Sequence, residues 1–219
     1  MKSFILRIFQ KCREKPIAAA IIIASLAVIS FSGVMTAKYG IALIRMKSVG
    51  VSLKPAIVIP PRDVTYYLQN DPLWASDSLG ATNSTMGGEG CLVASITTAL
   101  CYHGYDFTPK EVNNLFNERG VFTESGKVIW MNIKNAVPDI DYKYDRVFDA
   151  RTIEKLLLDG MLPIIEVKMR GVGMNHWVAV IGSDGTDFLV MDPLNQSKTP
   201  VKLSDHGGRA YAYRVLVRK

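Results

Sequence analysis

HisTrpValAlaValIleGlySerAspGlyThrAspPheLeuValMetAspPro, residues 176 to 193, is the stretch on which the fold turns. Two short runs rich in β-branched and aromatic residues flank AspGly at 184 and 185, the pattern of two strands joined by a hairpin turn. LeuProIleIleGluValLysMet (162–169) before it and TyrAlaTyrArgValLeuVal (211–217) after it have the same character, so the C-terminal half reads as an antiparallel sheet. Upstream the apolar period changes to that of helices. Leu92, Val93, Ile96, Ala99 and Leu100 predict a helix that ends at Gly104. Thr108, Pro109 and Glu111 supply an N-cap, a first-turn proline and a capping-box partner for a second helix, which stops at Gly120. Asp149 opens a third through Ile153 and Leu157, ended by Gly160. Helices first and strands afterwards indicate an α+β fold.

At 219 residues the chain has room for one ordinary domain and an appendage. Hydrophobic residues at 48% and charged residues at 21% exclude disordered and collagen-like classes. The net charge of +6 arises mostly at the N-terminus, where residues 1–37 hold five Lys/Arg against Glu14. The remainder has 21 basic against 19 acidic residues and no basic face of the kind that binds nucleic acid, so nucleic acid is not expected as a partner.

Residues 17–37 carry no charge, and a helix of that length reaches about 30 Å, the thickness of a bilayer core. Lys2, Arg7, Lys11, Arg13 and Lys15 precede the run, which favours a cytoplasmic N-terminus and an extracytoplasmic body. The expected layout is a basic cytoplasmic terminus (1–16), a single transmembrane anchor (17–37), an extended linker (38–62) and one domain (63–219). A signal peptide cleaved near Ala37 is the alternative, although apolar cores of such peptides run only about 7 to 15 residues. Cys12, beside the apolar run, is either a spectator thiol or a juxtamembrane acylation site.

Cys91 and Cys101 fall on one predicted helix about 15 Å apart, too far to form a disulfide. Cys91 follows GlyGlyGluGly (87–90) and opens that helix, where free backbone N–H groups favour a thiolate. The alternative is a small buried hydrophobe. The three glycines favour the nucleophile, because they permit close approach of a ligand or another backbone. Of the three histidines, His103 lies at the far end of the same helix, and His206, in SerAspHisGlyGly, reads as a surface-loop residue. His176 begins a strand after a Gly-rich loop, where it either faces a cleft or sits as a satisfied core histidine. Across the hairpin its neighbour is Asp192, itself open to the reading of a turn residue before Pro193. A strict two-residue AspGly turn would set Asp192 opposite Trp177, on the other face, so contact with His176 requires an odd-length loop or a bulge.

TyrLeuGlnAsnAspProLeuTrpAla (67–75), GlyCys (90–91) before a helix, GlyTyrAspPheThrProLysGlu (104–111), HisTrpValAlaValIleGly (176–182) and ValMetAspPro (190–193) together resemble the bacteriocin-leader-peptidase-like, or double-glycine-peptidase-like, family of papain-like cysteine peptidases. The resemblance spans about residues 63–217 and is nearer the stand-alone branch, since no P-loop or multi-span region accompanies it. It implies a papain-like fold with Cys91 as nucleophile, His176 as general base and acid, and Asp192 as the residue that orients the imidazole. It further implies Gln69 as side-chain donor to an oxyanion hole, with Asn70 and Asp71 as alternatives at the same turn. No metal or organic cofactor is expected, because no cluster has metal-ligand spacing. The expected partners are a peptide or protein substrate and the membrane. An acyltransferase, a cell-wall amidase or a catalytically silent binding module would use the same fold.

Overall fold

From Pro16 the chain is helical with no acidic residue and no charge before Lys38, and the helix ends ahead of Gly50, whose φ of +73° is left-handed. The computed structural model describes residues 16–219, and the basic terminus expected over 1–16, Cys12 included, falls outside that range but for Pro16. Helix α1 (Pro16–Val49) therefore runs past the expected end at Ala37. Among the described residues, those up to Arg45 form one unit and Met46–Lys219 a second.

The second unit begins inside the segment read as an extended linker. Strand β1 (Val51–Ser52) pairs with a late strand at residues 209–210, and β2 (Val58–Ile59) pairs with residues 183–184. Leu53 and Ile59 are buried, so residues 46–62 are part of the folded unit and the reading of 38–62 as a spacer is corrected. The composition misled because the ProProArg end of the segment resembles a linker, whereas Leu53, Pro55 and Ile59 are buried against the folded unit.

The helices follow: α2 (Met86–Glu89), α3 (Cys91–Tyr102), α4 (Pro109–Glu118) and the single-turn α5 (Ile133–Ala136). The capping box foreseen at Thr108 is present, with both the Thr108 and Glu111 side chains closing on backbone N–H groups. Strand β3 (Ile140–Lys143) then precedes α6 (Ala150–Leu158), which Asp149 caps through Thr152. The remaining strands are β4 (Pro163–Lys168), β5 (Asn175–Asp184), β6 (Phe188–Met191), β7 (Val201–Lys202), β8 (Arg209–Ala210) and β9 (Ala212–Arg218).

All the pairings are antiparallel, in the order β3-β9-β4-β5-β6-β7, with β2 added beside β5 and β1 paired separately with β8. The mixed α+β architecture is the expected one. The apolar side of α3, with Val93, Ile96, Ala99 and Leu100 fully buried, packs with Ile164, Ala179 and Ile181 of the sheet and Val112 and Phe116 of α4 in one core. This packing fixes the N-terminus of α3 over the middle of the sheet, where β5 enters.

Candidate active site

Cys91 is the first residue of α3 and is buried, after a short helix capped by Thr85. Two of the three glycines before it are explained by backbone rather than by a ligand. A side chain at Gly90 would collide with the Met86 carbonyl, and one at Gly87 would come within 3.0 Å of the Ala75 carbonyl.

The hairpin that carries His176 and Asp192 turns one residue later than the AspGly pair suggests. Asp184 and Asp187 close it, with Gly185 (φ +86°) and Thr186 at the tip, and the Asp184 carboxylate accepts from the Thr186 and Asp187 amides. Such an even-length tip alone would continue the pairs Ser183↔Phe188 and Gly182↔Leu189 until Asp192 lay opposite Ala179, on the face away from His176. A β-bulge at Ile181 shifts the register, so that Val180 pairs with Val190 and Ala179 with Met191. Extending that register by one residue sets Asp192 opposite Val178, on the same face as His176. The bulged Ile181 carbonyl is satisfied by the Arg62 N–H at 2.8 Å.

His176 Nε2 and Asp192 Oδ1 are 2.6 Å apart, and both residues are buried. The Cys91 thiol lies near enough to the ring to favour its charged form. Burial alone would lower the basicity of His176, but the hydrogen bond with Asp192 and the neighbouring Cys91 thiol outweigh it and push its pKa up to about 9. Burial likewise works against the Asp192 carboxylate, and the hydrogen bonds from His176 and His206 still hold it well below the usual carboxylate range.

Gln69 is buried, its backbone N–H bonded to the Pro193 carbonyl beside Asp192. Its Nε2 donates to the Gly87 carbonyl at 2.9 Å and the Gly88 carbonyl at 3.3 Å, on the loop that leads to Cys91. Asn70 accepts from Gln196, and Asp71 accepts from the Leu73 N–H; both serve the turn. Of the three alternatives, Gln69 is the one that reaches the Cys91 loop.

His206 is not the surface-loop residue that its sequence context suggests. It ends a 3₁₀ turn (Leu203–His206), is buried, and brings Nε2 to 3.2 Å from Asp192 Oδ2, with its ring centroid 5.7 Å from that of His176. No local pattern announces this, because the burial depends on Leu203 anchoring the turn and on Gly207 packing against Gly171. His103 caps the far end of α3 and meets the Leu216 carbonyl. Among the described residues no His, Cys, Asp or Glu cluster has the arrangement of a metal site.

The arrangement joins a thiol at a helix N-terminus, an imidazole and a buried carboxylate, the parts needed for nucleophilic attack on a carbonyl. Residues 61–214, more than half of the chain, match the family model described as the Peptidase_C39 like family. Among solved structures, one similar to this chain is that of a candidate C39-like peptidase from Bacillus anthracis, with 14% identity and a TM-score of 0.49, covering 72% of this chain and 99% of that one. No curated protein sequence matches the chain.

Proposed function

Since the chain belongs to the Peptidase_C39-like family, we propose that it is a membrane-anchored thiol hydrolase that cleaves a peptide or amide bond through a covalent acyl-enzyme on Cys91. The observation that carries this reading is the buried His176–Asp192 pair set against the thiol at the N-terminus of α3. In the reaction, Cys91 Sγ attacks the substrate carbonyl carbon while its proton resides on His176. The oxyanion forms beside the Cys91 N–H, which no turn of helix satisfies. Gln69 Nε2 contributes the second donor by exchanging its longer bond, to Gly88, for one to the oxyanion. The imidazolium protonates the leaving amine as the C–N bond breaks. Water then gives a proton to His176 and attacks the thioester, and the thiolate leaves. Asp192 holds the ring and balances its charge throughout.

The full chain in detergent, incubated with a peptide library, is expected to cut a subset of peptides, and Cys91→Ala to cut none. A library left intact by the unsubstituted protein, or cut equally by Cys91→Ala, would refute the reading. The anchor is supported by the apolar stretch Ala24–Val49, whose most apolar window is entirely exposed. The chain is expected to stay with membranes through an alkaline carbonate wash, and its release as a shortened soluble protein beginning near Lys38 would identify the segment as a cleaved signal.

A further inference from the structure

We infer that His206 is a positioning residue of this site, locking the Asp192 carboxylate in the plane that His176 needs; the inference rests on the thiol-hydrolase reading. Asp192 Oδ1 already takes two bonds, from His176 at 2.6 Å and from the Leu194 N–H at 2.8 Å. Oδ2 has His206 Nε2 at 3.2 Å. The terminal torsion of an Asp side chain is soft, so a carboxylate held through one oxygen swings about its Cβ–Cγ bond. A donor on each oxygen fixes it. With Nε2 directed at the carboxylate, His206 is a donor there, and its neutral form leaves Nδ1 without a proton.

Two further observations separate this from a histidine that merely fills space. Nδ1 of His206 is buried and has no hydrogen-bond partner among the described residues, an arrangement that costs stability. The turn that presents His206 is also braced against the loop that presents His176. Gly207, at φ +79°, lies so close to Gly171 that a Cβ on it would come within 2.8 Å of the Gly171 Cα. Both imidazoles are thereby located by the same backbone contact, on either side of one carboxylate.

The test uses alkylation of Cys91, which needs no knowledge of the substrate. Full-length protein in detergent is treated with iodoacetamide at pH 6, and Cys91 and Cys101 are followed by mass spectrometry in the unsubstituted protein and in His176→Ala, His206→Ala and His206→Gln, with melting curves for each. Cys91 is expected to react fast and in a His176-dependent way. His206→Ala should slow it about tenfold, the size of effect expected for one hydrogen bond to a charged group, and leave Cys101 unchanged. His206→Gln, whose amide N–H sits at the reach of Nε2, should return the rate to within about threefold of the original. A folded His206→Ala that reacts at the original rate overturns the inference, as does a folded His206→Gln that is as slow as the alanine variant. Should His206→Ala fail to fold, the glutamine variant decides alone: a folded His206→Gln slowed about tenfold or more overturns the inference, and one within about threefold of the original rate upholds it. If Cys91 in the unsubstituted protein reacts no faster than in His176→Ala, the hydrolase reading itself fails and the role of His206 falls with it.

Discussion

Asp192 serves two imidazoles at once, and the charge it carries determines when His176 is an acid. Its carboxylate is depressed below its ordinary 3.8 and the imidazole raised from 6.5 to about 9, so both are charged across the neutral range. The raised group contributes stability that is complete below pH 6.5 and is lost as pH rises through about 9. The depressed group contributes stability that is complete above pH 3.8 and is lost as pH falls below it. Between these limits the pair stabilises fully. The difference in Tm between the unsubstituted protein and His176→Gln should therefore be largest from about pH 5 to 6.5 and shrink towards pH 9. A difference that grows with pH would show that His176 is held neutral. Cys91, His176 and Asp192 were legible because each sits at a recognisable junction: a Gly-rich entry to a helix, a strand start and a strand end. His206 was not, since SerAspHisGlyGly has the composition of an exposed turn and its burial is decided by Gly171, which is 36 positions from Gly207 in number but adjacent to it in space.

At the scale of elements, the site depends on one extra residue in β5. Ile181 is apolar whether it is bulged or regularly paired, so its identity does not reveal the bulge, and the sequence alone fixes only the parity condition that a bulge would meet. The structure supplies the physical cause at Gly182, where a Cβ would stand 2.6 Å from the Ile59 carbonyl and 2.9 Å from Pro61. The chain entering from β2 occupies that space and donates the Arg62 N–H to the freed Ile181 carbonyl. Gly182→Ala forces backbone apart at this point and is expected to cost about 1 to 3 kcal/mol, as overpacking does, and to lower Tm by several degrees. It should also slow alkylation of Cys91, because a shifted bulge moves Asp192 relative to His176. Thr108→Ala provides the contrast: loss of the α4 cap costs about 1 kcal/mol and leaves Cys91 reactivity untouched. If Gly182→Ala behaved like Thr108→Ala in the labelling assay, the bulge would not be what aligns the two residues. The caps themselves were readable because their signals are local, whereas the two-residue strands β1, β2, β7 and β8 are too short to carry a period and exist only through their partners.

Across the folded unit, the boundary matters more than any single contact. A domain cut at Asp63, where composition places it, omits the buried Pro55 and the three larger buried side chains Met46, Leu53 and Ile59. At about 1.5 to 3 kcal/mol each, burial of those three contributes roughly 5 to 9 kcal/mol, comparable with the about 5 to 15 kcal/mol by which whole domains are stable. The cut has a polar cost as well. Glu154 is buried on α6, and its Oε1 accepts from the Ala56 and Ile57 amides at 2.5 and 3.1 Å. Without that segment a buried carboxylate loses its donors, and the Ile181 carbonyl loses Arg62. Ser183, which bonds to the Ile57 carbonyl, and the β5 edge that β2 covers would be exposed. A fragment of residues 46–219 is accordingly expected to melt cooperatively and to label at Cys91 as the full chain does. A fragment of residues 63–219 is expected to show no cooperative melt by circular dichroism and to aggregate through the bared edge. Equal melting temperatures for the two would mean that residues 46–62 are the spacer their prolines suggest, and that the site stands on the sheet and helices alone.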